Sequence, residues 1–182
     1  MLRRQAEFRI AADAVTAVLA EIPEVAAVAL FGSLTRPLRR EVSRFQPYRR
    51  RGIELLHEVK DVDLAVWVTR TDRLNGLRRA SAGAVGQLFR ERGIGVADHQ
   101  IELFLFEPGT GRYLGRVCHF GTCPKDHRDC LAESCGRDRF LKQMEGFELW
   151  PDAFAPERTV PLFDRVAGII AHAADLPVGS GM

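Results

Sequence analysis

No stretch of this chain approaches the roughly 20 consecutive apolar residues that a bilayer-spanning helix needs, so no membrane-spanning role is expected. An excess of one charge is missing too. Lys and Arg together number 26 against 24 Asp and Glu, a net charge of +2, which is too small to argue for nucleic-acid binding by itself. Lysine is scarce: only Lys60, Lys125 and Lys142 stand among the basic residues. Arginine suits planar phosphate recognition, but over the chain as a whole coding bias accounts for the preference as well. An uninterrupted apolar signal core is lacking, because Met1-Leu2-Arg3-Arg4 leads into an amphipathic segment containing Asp13 and Glu21. A cytoplasmic location is therefore the expectation, with the cysteines reduced. There is no internal repeat, no low-complexity tract and no shift in composition. Residues 1–182 read as one domain, long enough to bury a sizeable core.

What is present falls into apolar segments of two periods. Phe8, Ala11, Ala12, Val15, Val18 and Leu19 recur at helical spacing over residues 3–20, and Ile22-Pro23 ends that helix. The run 25–31 reads as a buried strand, with a helix expected to start at Ser33. Residues 62–68 read as a second strand, with Val62, Leu64, Val66 and Val68 on one face. Thr71 or Asp72 is placed to cap the next helix, whose stripe is Leu74, Leu77, Ala84, Leu88 and Phe89 and which Gly93 and Gly95 close. Ile101, Leu103 and Leu105 alternate with Glu102, Phe104 and Phe106 in a third strand. Phe140, Leu141, Met144 and Phe147 suggest a short helix, and Leu162, Phe163, Val166, Ile169 and Ile170 a last one. Trp67 shares a face with Asp63 and reads as core. Trp150 reads as core or helix-end packing.

Chemistry concentrates in Leu30-Phe31-Gly32-Ser33 and Asp61-Val62-Asp63-Leu64. Side chains two apart on a strand share a face, so Asp61 and Asp63 place two carboxylates side by side. Like charges that close repel unless a cation joins them. Mg²⁺ is such a cation, held by one or two carboxylates plus substrate phosphates. A Gly-Ser turn supplies backbone N–H groups suited to phosphate. This order of parts resembles the nucleotidyltransferase superfamily of the DNA polymerase beta type, in particular its small bacterial members. The resemblance covers about residues 8–106. It implies that a third acid comes from a neighbouring strand, and Glu102 in Ile101-Glu102-Leu103 matches, with Asp98 next in line. One departure is that 27 residues, Leu34 to Lys60, separate the turn from the first Asp. Small members of the family place that acid much closer, which suggests an inserted helix or arm beside the site.

The insertion begins with Arg36, Arg39, Arg40, Arg44, Arg49, Arg50 and Arg51, punctuated by Pro37 and Pro47. A solvated face is the ordinary reading of such a run. A clamp for a triphosphate or acidic substrate is the second. Nucleic-acid contact, with Phe45 and Tyr48 interleaved, is the third. Cys118, Cys123, Cys130 and Cys135 are all the cysteines of the chain and fall as C-x4-C-x6-C-x4-C. Thiolates gathered this densely in a reducing compartment suit tetrahedral Zn²⁺, with His119 and His127 as substitute ligands. A set of reduced, partly buried thiols or a redox pair is the alternative.

These readings lead to an α+β fold: a nucleotidyltransferase-like mixed sheet flanked by helices, with a Cys-rich zinc knob towards the C-terminal third. The core spans about residues 3–107, the Cys-rich segment about 113–137 and the C-terminal helices about 138–174. The resemblance implies Mg²⁺-dependent transfer of a nucleoside monophosphate from an NTP, ATP foremost, to an unidentified acceptor hydroxyl. Gly32, Ser33 and Arg36 would hold the nucleotide. Asp61, Asp63 and Glu102 would bind Mg²⁺, with Glu102 as the base, and Zn²⁺ would be structural. The alternative is a non-catalytic module of this fold that binds nucleic acid or a protein partner through the Arg-rich segment and the zinc knob.

Overall fold

The computed structural model describes residues 2–36, 50–52, 59–120, 130–133, 135, 140–150 and 152–177. The arginine run from 37 to 49, the apolar positions Ile53, Leu55 and Leu56, Cys123, His127 and the chain end beyond 177 fall outside them.

The first helix, α1 (Leu2–Ala20), buries Phe8, Ala11, Ala12, Val15 and Leu19, the 3.6-residue stripe expected of it. The strands follow as β1 (Val25–Phe31), β2 (Val62–Val68), β3 (Ile101–Phe106), β4 (Tyr113–Val117), β5 (Leu141–Lys142), β6 (Thr159–Asp164) and β7 (Gly168–Ile169). The second helix, α2 (Leu74–Arg92), joins β2 to β3. Among the described residues the architecture is α+β, a seven-stranded sheet in the order β5-β4-β3-β2-β1-β6-β7 with two α-helices. Only β2 and β3 pair in parallel, which requires a crossover of the kind α2 supplies. The other neighbours are antiparallel. No described helix is long and apolar enough to cross a membrane.

The two faces of the sheet differ in content. Val62, Leu64, Val66 and Val68 of β2 and Ile101, Leu103 and Leu105 of β3 join the stripes of α1 and α2 in one aliphatic core. The alternate residues face the other way. There Phe31, Ala65, Phe104 and Phe106 form a second cluster, which Trp67, Tyr113, Phe147, Leu149 and Phe154 cover. Phe31 meets Phe104 and Phe154 with ring centroids 5.0 Å apart in each case, and Trp67 tilts over Phe106 at 5.5 Å. Such spacings are those of favourable aromatic pairs.

Several elements depart from expectation. The helix expected at Ser33 is a single 3₁₀ turn, Gly32–Thr35, with no side-chain cap. Asp72 does not cap α2, because it accepts from the Arg70 guanidinium at 3.0 Å instead. Gly93 does close α2, at φ 65°, donating to the Phe89 carbonyl. Phe89 itself is exposed, and Ser81 and Val85 complete the buried stripe. No α-helix follows β4 among the described residues. Leu162, Phe163 and Ile169 fit a helical period, but they belong to two strands around a turn. Asp164 Oδ1 accepts the N–H groups of Val166 and Ala167 at 2.8 and 3.1 Å, and Gly168 turns at φ 79°. That turn chemistry overrides the spacing. Trp150 is not core: it stands exposed.

The expected zinc knob gains no support. Cys118 is packed in the aliphatic core, its Sγ 3.8 Å from the Phe120 carbonyl. The Cys130 Sγ accepts the Gln143 N–H at 3.4 Å. His119, the substitute ligand, faces Asp98 at 3.3 Å. Among the described residues no three His, Cys, Asp or Glu side chains form a group fit to hold a metal.

Candidate active site

Strand direction assembles the site. β1 runs antiparallel to β2, and β3 parallel, so the end of β1 and the start of β3 meet at the start of β2. In register, Asp63 lies beside Phe31 on one side and Glu102 on the other. β6 is antiparallel to β1, which brings Thr159, and Arg158 just before it, to the same edge. Asp61 precedes β2 at this edge.

The turn after β1 is pressed against the second carboxylate. Gly32 has φ +78°, a region that L side chains rarely adopt, and a Cβ built there would lie 2.4 Å from Asp63 Oδ2. Only glycine lets this backbone pass so close. The turn is held from behind by α1. The buried Arg9 donates through Nε and Nη2 to the Leu34 carbonyl at 3.0 and 2.9 Å. It also reaches the carbonyls of Leu176 at 2.8 Å and Pro177 at 3.2 Å. Gln5 donates to the Arg36 carbonyl at 2.8 Å. Sequence reading assigned no role to Arg9. The available signal was a charged residue on the apolar stripe of a helix, where an uncompensated group would be costly.

The acids are electrostatically coupled. Burial, then Glu102 and Asp61, push the Asp63 carboxyl from 3.8 up to about 7, against the pull of Arg116. Asp61 is also raised, by burial and then Glu102, with His99 and Lys60 opposing. Among the described residues no hydrogen-bond donor reaches either carboxylate. Hard carboxylate oxygens are the donors that a small divalent cation such as Mg²⁺ takes.

Glu102 is differently placed. It shares the face of Asp63, but its Oε2 accepts from Arg116 Nη1 at 2.6 Å. The pair is poorly exposed, at 17% for the Arg116 side chain and 32% for that of Glu102. A charge-assisted bond of this kind contributes about 1.5–3 kcal/mol. The guanidinium carbon also sits 5.1 Å from the ring centres of both Phe104 and Phe147, in cation–π range. Asp98, the other candidate for the third acid, lies in a 3₁₀ turn before β3 and pairs with His119.

A cleft of about 410 Å³ opens from Asp63 and Gly32. Ser33, Arg36 and Arg158 supply its polar wall, and Phe104, Phe147 and Trp150 its aromatic one. Arg158, Phe147 and Trp150 come from the C-terminal third, in which sequence reading named zinc ligands but no nucleotide-binding residue. The exposed Trp150 shares this cleft with Arg36 and Arg158. Arg36 lines the cleft, whereas Arg50 and Arg51 are exposed.

Comparison with known proteins brings no match: no family model fits the chain, and neither a curated protein nor a solved structure is similar to it.

Proposed function

We propose that the protein is a nucleotidyltransferase of the DNA polymerase beta type, moving a nucleoside monophosphate from an NTP to an acceptor hydroxyl. The observation that carries this reading is the contact of the Gly32 backbone with the Asp63 carboxylate at the head of a cleft lined by arginines and aromatic rings. Phosphoryl-type transfer needs the triphosphate held, its charge neutralised and the acceptor aligned. Ser33 offers a hydroxyl to a phosphate oxygen. Arg36 and Arg158 offer planar donors matched to phosphate. Trp150 and Phe147 offer faces on which a base stacks. Asp61 and Asp63 would hold Mg²⁺, which when bound neutralises phosphate charge and polarises the reacting phosphoryl group. The acceptor hydroxyl oxygen bonds to the α-phosphorus and gives up its proton to water as the bond from that phosphorus to the α–β bridging oxygen breaks, and pyrophosphate departs with the bonding pair.

A test is pyrophosphate release from each of the four common NTPs with Mg²⁺, using wild type and Asp63→Asn. Release that Asp63→Asn loses supports the reading. Release that both proteins retain, or binding of no NTP at all, counts against it. The competing reading, a non-catalytic module of this fold, draws on the Glu102–Arg116 pair, which withdraws one of three acids from the site. It expects a bound anion in the cleft but no dependence on a divalent cation.

A further inference from the structure

We infer that Arg9 is a positioning residue of the nucleotide turn, and that it couples the C-terminal segment 173–177 to nucleotide binding. The inference rests on the proposed function and adds a distant segment on which the same site depends.

Gln5, Arg9 and Asp13 stand four residues apart on α1, so they line one side of the helix. Each holds backbone. Gln5 Nε2 donates to the Arg36 carbonyl at 2.8 Å. Arg9 donates to the Leu34 carbonyl through Nε and Nη2, at 3.0 and 2.9 Å. Its Nη1 donates to the carbonyls of Leu176 and Pro177, at 2.8 and 3.2 Å. Asp13 accepts the N–H groups of Ala173 and Ala174 at 2.6 and 2.9 Å. One end of this ladder grips the turn that brings Ser33 and Arg36 to the cleft, and the other grips the C-terminal segment. Arg9 bonds to both.

Packing does not explain the ladder. Arg9 is 1% exposed and Gln5 0%. Among the described residues every bond of the Arg9 guanidinium goes to a backbone carbonyl, and Gln5 Oε1 has no partner. An aliphatic side chain would fill the same stripe without the cost of burying a guanidinium. What it could not do is hold two segments at once, which a rigid planar fork of donors does. The Leu34 carbonyl lies one residue beyond Ser33, so its anchoring sets where the Ser33 hydroxyl and Arg36 stand. Coupling through a shared group is reciprocal. Phosphate that fixes the turn therefore makes the C-terminal segment harder to open, and loosening that segment weakens phosphate binding.

ATP with Mg²⁺ is the probe, titrated by calorimetry into the full chain. Amide exchange of residues 173–176 is read with and without it, and circular dichroism checks folding. In wild type, bound nucleotide should slow exchange of the Ala173 and Ala174 amides about fivefold. Asp13→Ala, outside the cleft and leaving the bonds to the turn in place, should weaken ATP binding by a similar factor, about fivefold. Arg9→Lys keeps the charge but brings one nitrogen to two segments. It should weaken binding at least about tenfold and abolish the slowing of exchange, which a merely structural role would leave in place. Both substitutions cut one ladder, so the double variant should bind no more weakly than Arg9→Lys alone. If Arg9→Lys does not fold, the Asp13→Ala affinity and the wild-type exchange decide between the outcomes. ATP affinity unchanged in the variants, or exchange at 173–176 that bound nucleotide does not slow in wild type, overturns the inference while leaving the proposed function standing. Wild type that binds no ATP overturns both.

Discussion

The two faces of the sheet are made by the same strands and carry opposite chemistry. Toward the helices β2 and β3 present Val62, Leu64, Val66, Ile101, Leu103 and Leu105, all aliphatic and at most 1% exposed. On the other side the same strands present Asp63, Ala65, Trp67, Glu102, Phe104 and Phe106. Apolar transfer accounts for the first face completely. It does not account for the ionisable groups on the second, where desolvation raises Asp63 at the edge and, further along the same face, moves the Tyr113 phenol up to about 12. The contrast teaches that one face fixes the scaffold and the other holds groups at an energetic cost, as functional sites do.

The largest expected effect lies on the aliphatic face. Leu103→Ala should lose about 2–5 kcal/mol of stability, as buried leucine truncations do. It should keep its response to Mg²⁺ and nucleotide. Urea unfolding with and without these ligands checks both statements. Loss of the ligand response at constant fold would break the division between the faces.

Next in size is Asp63→Asn, which should stabilise the ligand-free protein. The Asp63 carboxyl has its folded value raised from 3.8 to about 7. The folded state therefore holds its proton more tightly than the unfolded chain, and that advantage is full below about pH 4. It is lost as pH rises to about 7, above which the folded state carries an ionised, poorly solvated group. At 1.36 kcal/mol per unit the swing is on the order of 4 kcal/mol. Melting at pH 8 should favour Asp63→Asn, and at pH 4 the two proteins should nearly coincide. A gain of equal size at both values would contradict the assigned cause.

How much of this could be read from residues alone follows the same division. The alternation in β2 and β3 and the stripe of α1 were legible because each is a period against one continuous core. The edge with Gly32, Asp61, Asp63 and Glu102 was legible because the parts lie in short motifs. Arg9, Arg116 and Arg158 were not, since their partners lie 14 to 168 residues away or across strands whose order no local pattern sets. The C-terminal strands are hidden behind a helical spacing of Leu162, Phe163, Val166 and Ile169, which the turn made by Asp164 and Gly168 overrides.

Gly32→Ala should change stability by less than either substitution above but couple to the site. The backbone conformation alone costs about 1–2 kcal/mol for a residue with a Cβ, and the contact with Asp63 Oδ2 adds to it. Introduced together with Asp63→Ala, it should retain only the conformational part. Equal cost in both backgrounds, read from denaturant midpoints, would mean that the close approach to Asp63 carries no energy.

The smallest expected change in stability is Trp150→Ala, within about 0.5 kcal/mol as for other exposed positions, since Trp150 is 78% exposed. Nucleotide binding should weaken about tenfold from the loss of one stacking face, worth about 1–3 kcal/mol. Fluorescence titration with ATP and with tripolyphosphate sharpens the point. ATP should lose affinity and tripolyphosphate should not.

The central claim is that the aromatic, charged face is a cation-dependent nucleotide site, and the most direct measurement is the melting midpoint of wild type and Asp63→Asn with Mg²⁺ and ATP. A ligand at about a hundred times its Kd adds about 2.7 kcal/mol, which at about 2–4 °C per kcal/mol raises the midpoint by about 5–10 °C. Wild type should show that rise only when Mg²⁺ and ATP are present together, and Asp63→Asn should show little of it. An equal rise in both proteins, or one in wild type that needs no divalent cation, would contradict the account.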